Sequence, residues 1–529
     1  MIRRRAFLGV GTALALVGGC EEARSIDAID GGFHGIDLAR GHAWRDGAMR
    51  LGLPATTRRT RVLVAGGGVA GLAAARALRQ AGVEDFALLE LEDTAGGNSR
   101  GGQIGGIACP LGAHYLPVPG DDAPEVQDLL EELGLRRRVA GRWEIDERHL
   151  CHSPQERLWF QGEWQEGLLP VHGVGEATLA QYRLFARRVD DLRKHAHFAI
   201  PTAKVPLTAD LLALDALSFD AWLGREGLTD PHLRWYLEYC CRDDYGAGLA
   251  QVSAWAGIHY FASRHGFHAP GDEAGERDAV LTWPEGNAWL AGRIAAPLGD
   301  RVKTGQVVVR IAEVKGGVEV DAFDVASSSL QRWQADRCIV ALPVFVAARV
   351  VENAPDVLRN AAAAVRHAPW LVGNVNLGAP LADRAGPAPS WDNVLYGTRG
   401  LGYVDARHQA LDPTPGPTVL TWYRPLGASS VDGVDGRLRL QQAPWTAWRD
   451  ELIGELSQAH PDLAQRATRM EFTRYGHAMA IPAPGLLRRL GAQRPSAGRL
   501  SFAHADWSGY SIFEEAFTRG HMAGRAAAI

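Results

Sequence analysis

Residues 62–71 read VLVAGGGVAG, and this stretch decides the fold. Its first four residues form a short apolar run, the pattern of a buried β-strand, and four of the six residues that follow are glycines, three of them at the spacing Gly-x-Gly-x-x-Gly. An Ala- and Leu-rich segment of helical pattern then continues to Gly82. The order of strand, glycine-rich turn and helix is that of the first βαβ unit of a dinucleotide-binding domain.

Each motif glycine in this stretch has a separate physical task. Gly66 permits the tight turn, Gly68 lets a pyrophosphate approach the backbone, and Gly71 allows the helix to pack closely on the strand. The helix amino end offers free N–H groups and positive dipole charge to phosphates. A second strand, residues 86–89, ends at Glu90, 24 residues after Gly66, where a carboxylate can accept hydrogen bonds from a ribose diol. The whole unit predicts a dinucleotide site without choosing between NAD and FAD.

Length and composition exclude several classes of protein. The chain has 529 residues, 46% of them hydrophobic, which is enough for about three domains. Its 56 basic and 61 acidic residues give a net charge of −5 with no continuous basic stripe, so we expect no nucleic-acid partner. The cysteines show no metal-ligand spacing, and no metal site is predicted. Cys240 and Cys241 are either a strained redox pair or, as the pattern favours, two buried small side chains.

The amino terminus has the pattern of an export signal. Arg4 and Arg5, followed by Phe7 and Leu8, resemble a twin-arginine signal, and the apolar run after them is too short to span a membrane. Small residues before Cys20 resemble a lipoprotein cleavage box, although an ordinary cleavage nearby is the alternative. We therefore predict an export signal over 1–20, a periplasmic protein with a lipid anchor at Cys20, and a tether and irregular arm over 21–59.

Residues 90–102, ELEDTAGGNSRGG, indicate which dinucleotide is bound. The segment is similar to the flavin amine oxidase superfamily, in which the ribose acid is followed by a Gly-Gly turn and an arginine that lie against FAD. Gly96, Gly97 and Arg100 match that motif, although the family has arginine directly after the second glycine, where this chain has Asn98. The resemblance implies that the cofactor is FAD.

Three later segments resemble the same family. Residues 284–311 are similar to the turn, helix and strand that return to the FAD domain, where Val308 would contact adenine through its backbone. Residues 337–343 resemble the strand that follows the substrate-binding excursion. Residues 499–506 resemble the terminal strand and acid that hold the ribityl chain and the flavin O2 edge, and this implies that Asp506 binds the cofactor.

The resemblance also implies the domain organisation. We expect an α/β fold, with a Rossmann-type FAD-binding domain of the amine-oxidase type made of residues 60–120, 280–345 and 470–529. A mixed sheet-plus-helix substrate-binding domain would comprise residues 121–279 and 346–469. Sequence patterns predict helices over residues 124–133, 179–194 and 513–528, and a strand over residues 371–377.

The family chemistry is amine oxidation. A hydride passes from the carbon next to a neutral amine to flavin N5, and water hydrolyses the resulting imine. Many members use a lysine bonded to a water near N5, but Asn374 stands at the aligned position and no lysine follows Lys315. This departure indicates a smaller branch of the family. Residues 369–375, 474–478 and 502–506 are similar to the branch of bacterial spermidine dehydrogenase. A small amine, with polyamines first, is the implied substrate.

Three residues are catalytic candidates. Asn374 would replace the lysine of other members. His477 lies in the stretch that leads back to the flavin, where it would take the amine proton or bond the substrate, or else be a structural histidine. His114 follows the FAD-binding loop and either faces the isoalloxazine ring or, as we favour, has a structural role.

A polyamine pocket needs carboxylates for ammonium groups and aromatic faces for cation–π contact. Residues 238–245 supply both, although an amphipathic helix whose acids pair with Arg234 and Arg242 is the alternative. The predicted pocket residues are Asp243, Asp244, Tyr245, Trp507 and Tyr510.

Two rival functions share the FAD-binding segments. One is a flavin desaturase or dehydrogenase of an apolar substrate, such as a carotenoid-like or porphyrinogen-like compound, and the other is a flavin-binding scaffold without turnover. A wide pocket lined only by aliphatic and Phe side chains would favour the first rival, and an acidic aromatic pocket favours the amine. The electron acceptor is open between oxygen and a respiratory quinone or cytochrome.

Overall fold

The computed structural model describes residues 25–47, 49, 52–271, 279–412, 414–428, 435–491 and 493–529. The predicted export signal and Cys20 lie outside these residues. Within the described ranges, no helix is long and apolar enough to cross a membrane.

Runs of strands and runs of helices follow one another along the chain. The strands are β1 Asp30–Phe33, β2 Thr56–Ala65, β3 Phe86–Leu89, β4 Gly101–Ile104, β5 Ile107–Pro110, β6 Tyr115–Pro117, β7 Arg136–Val139, β8 Arg142–Ile145, β9 Glu156–Phe160, β10 Glu163–Glu166, β11 Val280–Thr282, β12 Val302–Lys303, β13 Gln306–Val314, β14 Gly317–Asp324, β15 Ser329–Val340, β16 Arg366–Leu377, β17 Asp392–Leu395, β18 Tyr403–Asp405, β19 Thr418–Pro425, β20 Ala467–Ile481, β21 Ser496–Ala497 and β22 Leu500–Phe502. The helices are α1 Leu38–Arg45, α2 Val69–Gln80, α3 Pro124–Glu132, α4 Glu176–His195, α5 Ala209–Asp215, α6 Phe219–Arg225, α7 Pro231–Tyr245, α8 Ala254–Ala262, α9 Ala288–Ala295, α10 Val344–Val350, α11 Asp356–Ala364, α12 Gly436–Gln442, α13 Trp445–Leu456, α14 Leu463–Arg466, α15 Leu486–Gly491 and α16 Phe513–Ala527.

The first sheet carries the predicted dinucleotide-binding unit. Its strand order is β12-β3-β2-β15-β14-β13, and β22 adds to β15. Strand β2 runs parallel to β3 and β15, and β15 runs parallel to β22. The carboxyl ends of these strands therefore share one edge, where Gly66, Glu90, Ala341 and Ala503 follow them. Open α/β sheets bind ligands at this edge, and the predicted α/β fold is confirmed.

Helices α2 and α16 pack together over the first sheet. Their close approach depends on glycine: a Cβ on Gly520 would lie 2.0 Å from the carbonyl oxygen of Ala70, and one on Gly524 would lie 2.4 Å from that of Ala74. Four-residue spacing places both glycines on one face of α16. This packing brings the amino ends of both helices, at Val69 and Phe513, to the same cavity.

The second sheet has the order β1-β20-β16-β19-β18-β17-β9-β10 and is covered by helices on both faces. Side chains along β16 alternate between the two faces of the sheet, so each face can pack against helices. Trp370 and Val372 pack in the cluster that contains α4 to α8. Leu371 and Val375 pack on the other face, against α13. Strand β20 belongs to this sheet throughout, so the sheet reaches Ile481, past the predicted domain boundary at 470.

The vicinal cysteines lie in the core between α7 and the neighbouring helices. Cys240 and Cys241 are buried free thiols, and burial raises the pKa of both. They are small core side chains, the alternative that the sequence pattern favours.

Candidate active site

A cavity of about 460 Å³ begins at the carboxyl edge of the first sheet and extends to the second sheet. Residues from both sheets line it. The predicted residues along its wall are Gly66, Gly68, Glu90, Gly96, Gly97, Val308, Asp506, His114, His477, Asp243 and Asp244. The cavity thus joins the predicted cofactor residues to part of the predicted substrate pocket.

The glycine-rich turn shapes the first end of the cavity. Gly66 has a φ of +103°, in the region that favours glycine. A Cβ on Gly71 would lie only 1.9 Å from the carbonyl oxygen of Gly66, so helix α2 can pack here only with glycine. The carboxylate of Glu90 accepts hydrogen bonds from the backbone N–H groups of Gly67, at 2.8 Å, and Glu92, at 2.9 Å. Strand, turn and acid are therefore fixed relative to one another.

The donor and acceptor groups at this end fit an FAD molecule. A Cβ on Gly68 would meet only the Cα of Gly97, at 3.9 Å, so the turn leaves open space beside it. Helix α2 has no side chain capping its amino end, which leaves its N–H groups for a pyrophosphate. The side-chain oxygens of Gln306 and Asn287 are buried along the same cavity without a hydrogen-bond partner in the described structure. Glu90 would hold the ribose diol, and FAD would supply hydride acceptance at its flavin ring.

Arg100 does not line the cavity, which corrects the predicted contact of Arg100 with FAD. Its guanidinium donates to the carbonyl oxygen of Gly35 at 2.9 Å and lies 3.8 Å from the Glu92 carboxylate. Asn98 occupies the position where the family has arginine, lines the cavity, and donates to the carbonyl oxygen of Ala478 at 2.8 Å. The two-residue displacement of the arginine along the loop turns it towards the amino-terminal arm.

Asp506 borders the cavity, but its carboxylate is fully buried and bonded to protein groups. It accepts from the backbone N–H of Val344 at 2.9 Å and from Nε2 of His367 at 3.0 Å, and Nδ1 of His504 lies 3.2 Å away. Burial opposes ionisation, but His504 and His367 outweigh it and lower the pKa of Asp506. His504 lines the cavity beside Asp506. Asp506 therefore positions His504.

Two of the three catalytic candidates line the cavity as neutral imidazoles. The ring of His477 stacks on Phe345 at 4.2 Å, and burial, helped by Arg437, lowers the pKa of His477 to about 4. The ring of His114 stacks on Tyr423 at 4.3 Å, and burial lowers its pKa to about 3. Near pH 7 neither ring adds positive charge to the cavity.

Asn374 is not part of the cavity wall, contrary to its predicted catalytic position. It is fully buried within the second sheet. Its amide donates to the carbonyl oxygen of Pro110 at 3.1 Å and accepts from the Thr421 hydroxyl at 2.7 Å. These bonds tie β16 to β19 and to the end of β5, so Asn374 has a structural role.

Acidic side chains line the part of the cavity next to the second sheet. Among the residues that the structure describes, Asp243, Asp244 and Glu514 lie there with one guanidinium, that of Arg264, which pairs with Asp244 at 3.2 Å. Burial, with the neighbouring Asp244, raises the pKa of Asp243 to about 7. Burial also raises the pKa of Glu514 to about 7. The excess of carboxyl groups over guanidinium groups in this described part of the wall favours the entry of a cation.

Sequence patterns alone did not identify two members of this group. Glu514 lies in the first turn of α16, and neither its sequence neighbourhood nor that of Arg264 carries a motif that marks a substrate pocket. Arg234, which the alternative interpretation pairs with the acids of its own helix, instead pairs with Asp220. Asp243 and Asp244 therefore face the cavity rather than a solvated helix surface.

The aromatic residues of the cavity differ from those predicted. The Tyr245 hydroxyl donates to the carbonyl oxygen of Ala256, Trp507 stacks on Phe502, and Tyr510 is fully buried. All three pack in the core. The aromatic residues along the cavity are Tyr115, Trp370, Tyr423, Tyr475 and Phe513. Three of these come from β16, β19 and β20, which meet only in the folded sheet.

A Rossmann-type sheet, a cleft that fits FAD and an adjoining acidic, aromatic pocket define an FAD-dependent oxidoreductase. The family model of flavin containing amine oxidoreductases matches residues 69–528, and the chain belongs to this family. The predicted FAD cofactor is thereby confirmed, and the protein is an enzyme of the amine oxidase type. A search among curated proteins found no match.

Solved structures show the same fold at low sequence identity. The chain is similar to wild-type putrescine oxidase bound to putrescine, with a TM-score of 0.67 and 20% identity over 89% of this chain and 99% of that one. It is also similar to cyclohexylamine oxidase from Brevibacterium oxydans IH-35A, with a TM-score of 0.64 and 19% identity over 89% and 98%. A CLA-producing fatty acid isomerase from P. acnes has a TM-score of 0.60 and 16% identity over 88% and 97%. The fold is therefore shared by proteins with different substrates, and the pocket must decide the substrate.

Proposed function

We propose that this enzyme oxidises a small amine that carries a second cationic group, with a polyamine such as spermidine as the leading substrate. The group of Asp243, Asp244 and Glu514 around the guanidinium of Arg264 carries the proposal. Such a site binds ammonium groups and is costly for an apolar substrate, since carboxylates would be desolvated without a partner. The aromatic rings of the same cavity suit cationic and methylene segments of a polyamine.

Proton transfer at the amine is the chemistry that this chain's own residues provide. An alkylamine has a pKa of ~10 and arrives as an ammonium ion, whereas oxidation requires the neutral amine. In this proposal Asp243 accepts that proton, because it lines the cavity and has a pKa of about 7. The neutral rings of His114 and His477 add no positive charge that would repel the ammonium group.

An anaerobic titration tests the substrate class. The holoenzyme is mixed with putrescine, spermidine, a monoamine of matched length, amino acids and an unsaturated fatty acid, and bleaching of the visible flavin band is followed. We expect the diamine and spermidine to bleach the flavin at concentrations at least about tenfold lower than the monoamine. Bleaching by the apolar compound alone would favour the desaturase alternative, and bleaching by none would favour a scaffold without turnover. Reoxidation by air or by a soluble quinone then identifies the acceptor.

The residue pattern of the amino terminus supports a proposal about location. Residues 1–20 direct twin-arginine export, and Cys20 carries the lipid that anchors the protein in the periplasm. The double variant Arg4→Lys, Arg5→Lys should remain in the cytoplasm, and Cys20→Ala should move the exported protein from the membrane to the soluble fraction. Normal export of the double variant would contradict the proposed twin-arginine signal. Retention of Cys20→Ala in the membrane would contradict the proposed lipid anchor.

A further inference from the structure

Residues 25–47 form an arm that precedes the first strand of the FAD-binding sheet. The arm begins on the second sheet, where β1 pairs in parallel with β20. Its contacts there include Arg449, which donates to Asp27 at 2.8 Å, and an ion pair of Asp30 with Arg469. The start of the arm is therefore anchored to the substrate-binding part of the molecule.

The other end of the arm holds the loop that follows Glu90. Arg40 of α1 donates to the carbonyl oxygen of Leu91 at 2.8 Å and to the Asp93 carboxylate at 2.9 Å. In the reverse direction, Arg100 donates to the carbonyl oxygen of Gly35 at 2.9 Å. Arm and loop are thus joined by hydrogen bonds donated from both sides.

Glu92 lies at the centre of this junction. Its carboxylate accepts the backbone N–H of Asp37 and lies 3.8 Å from the Arg100 guanidinium. Trp44 of the arm packs in the same apolar cluster as Leu91 and Val307. Helix α1 therefore meets the loop between Glu90 and Arg100 in two ways: Arg40 binds it through hydrogen bonds, and Trp44 packs in the same apolar cluster as Leu91.

This loop forms part of the cofactor cavity. Leu91, Gly96 and Gly97 line the cavity, and so does Val308, which follows Val307. The arm touches the outer side of these segments and closes none of the cavity itself. The family model begins at residue 69, after the arm, so the family match assigns it no role.

We propose that the arm is a strap that positions the cofactor loop and slows the release of FAD, with Arg40 as its main positioning residue. A loop held on both sides loses little further freedom when a ligand binds, and preorganisation of this kind increases affinity. The strap joins the second sheet to the loop, so it also fixes the loop relative to the substrate side of the cavity.

The test compares Arg40→Ala with Arg45→Ala in the holoenzyme. Arg45 lies on the same helix, and its exposed guanidinium pairs with the adjacent Asp46. Release of FAD after dilution is followed by the rise of free flavin fluorescence. We expect Arg40→Ala to release FAD about tenfold faster than wild type, and Arg45→Ala to match wild type.

Glu92→Gln is the second variant, because it keeps the size of the side chain and removes its charge. It should also release FAD faster, and circular dichroism of the FAD-free variants should show an unchanged fold. Wild-type release rates in both Arg40→Ala and Glu92→Gln would overturn the proposal. The readout involves no amine, so the result is independent of the proposed substrate.

Discussion

Asp243 is the residue at which the charge of the pocket can be switched. Its pKa of about 7, raised by burial and by Asp244, means that the carboxyl is neutral below pH 6 and charged above pH 8. Glu514 titrates in the same range. The affinity for a cationic amine should therefore rise between pH 6 and pH 8, well below the pKa of ~10 of the amine itself.

The substitution Asp243→Asn tests this charge. We expect it to weaken binding of a diamine about tenfold or more at pH 8 and much less at pH 6, where wild-type Asp243 is already protonated. The dissociation constant is measured by anaerobic flavin reduction across this range. Asp191→Asn, at an exposed position of α4, is the matched control. Equal affinity of Asp243→Asn and wild type at pH 8 would exclude Asp243 from amine binding.

The same pKa has a consequence for the stability of the amine-free protein. A carboxyl whose folded-state pKa is raised contributes stability that is complete below pH ~4 and is lost as the pH rises towards 7. Asp243→Asn lacks this loss, so it should be more stable than wild type at pH 8, by up to about 4 kcal/mol for a three-unit shift. Denaturant unfolding at pH 4 and pH 8 measures the difference. An advantage that is equal at both pH values would contradict the assignment.

Asn374 allows a structural and a catalytic role to be separated. Asn374→Ala leaves the Thr421 hydroxyl and the Pro110 carbonyl without their partner inside the sheet. We expect a loss of about 1–3 kcal/mol in the free energy of unfolding. The rate of flavin reduction by saturating amine should stay within about twofold of wild type in the folded variant, because the side chain does not line the cavity. A rate loss of orders of magnitude would restore its predicted catalytic role.

At the scale of elements, the turn between β2 and α2 contains two glycines with different tasks. A methyl group on Gly68 enters open space along the cavity, whereas one on Gly71 collides with the backbone of Gly66. Gly68→Ala should therefore leave the FAD-free protein as stable as wild type and weaken FAD binding at least about tenfold. Gly71→Ala should destabilise the protein by about 1–3 kcal/mol or more. FAD titration and thermal unfolding of the FAD-free variants separate the two effects, and equal stability losses would contradict the distinction.

The elements with strong local patterns are those that the sequence predicts well. The helix predicted over 179–194 is α4, Glu176–His195, and that over 513–528 is α16, Phe513–Ala527. The strand predicted over 371–377 begins earlier, at Arg366, because pairing with β20 extends it beyond its most apolar part. Pairing between strands about a hundred residues apart, such as β16 and β20, leaves no local pattern in the sequence. The sequence therefore predicted a mixed sheet-plus-helix domain but not the strand order of the second sheet.

At the scale of the whole molecule, the cofactor side and the substrate side of the cavity differ in how they are encoded. Glu90, Gly96 and Gly97 follow one another in a contiguous motif, so their position along the cavity was predictable. Tyr423 and Tyr475 reach it from separate strands, and their sequence neighbourhoods look like ordinary core. The contact of Arg100 was wrongly predicted for a similar reason. Its partner, Gly35, belongs to the amino-terminal arm, and the packing of that arm has no signature in the sequence.

Because the cavity draws its wall from both sheets, FAD should stabilise the molecule as a unit. A ligand that binds only the folded state stabilises it by about 2.7 kcal/mol at a free concentration of 100 times its Kd, and by more at higher concentrations. The melting temperature of the FAD-free protein should therefore rise steadily with added FAD, in a single transition reported alike by circular dichroism and by tryptophan fluorescence. Gly68→Ala is the control, since it keeps the fold but should need at least about tenfold more FAD for the same rise. If FAD raised the melting temperature of only one part of the molecule, two separate transitions would appear. The two sheets would then unfold independently, and the cofactor would not join them.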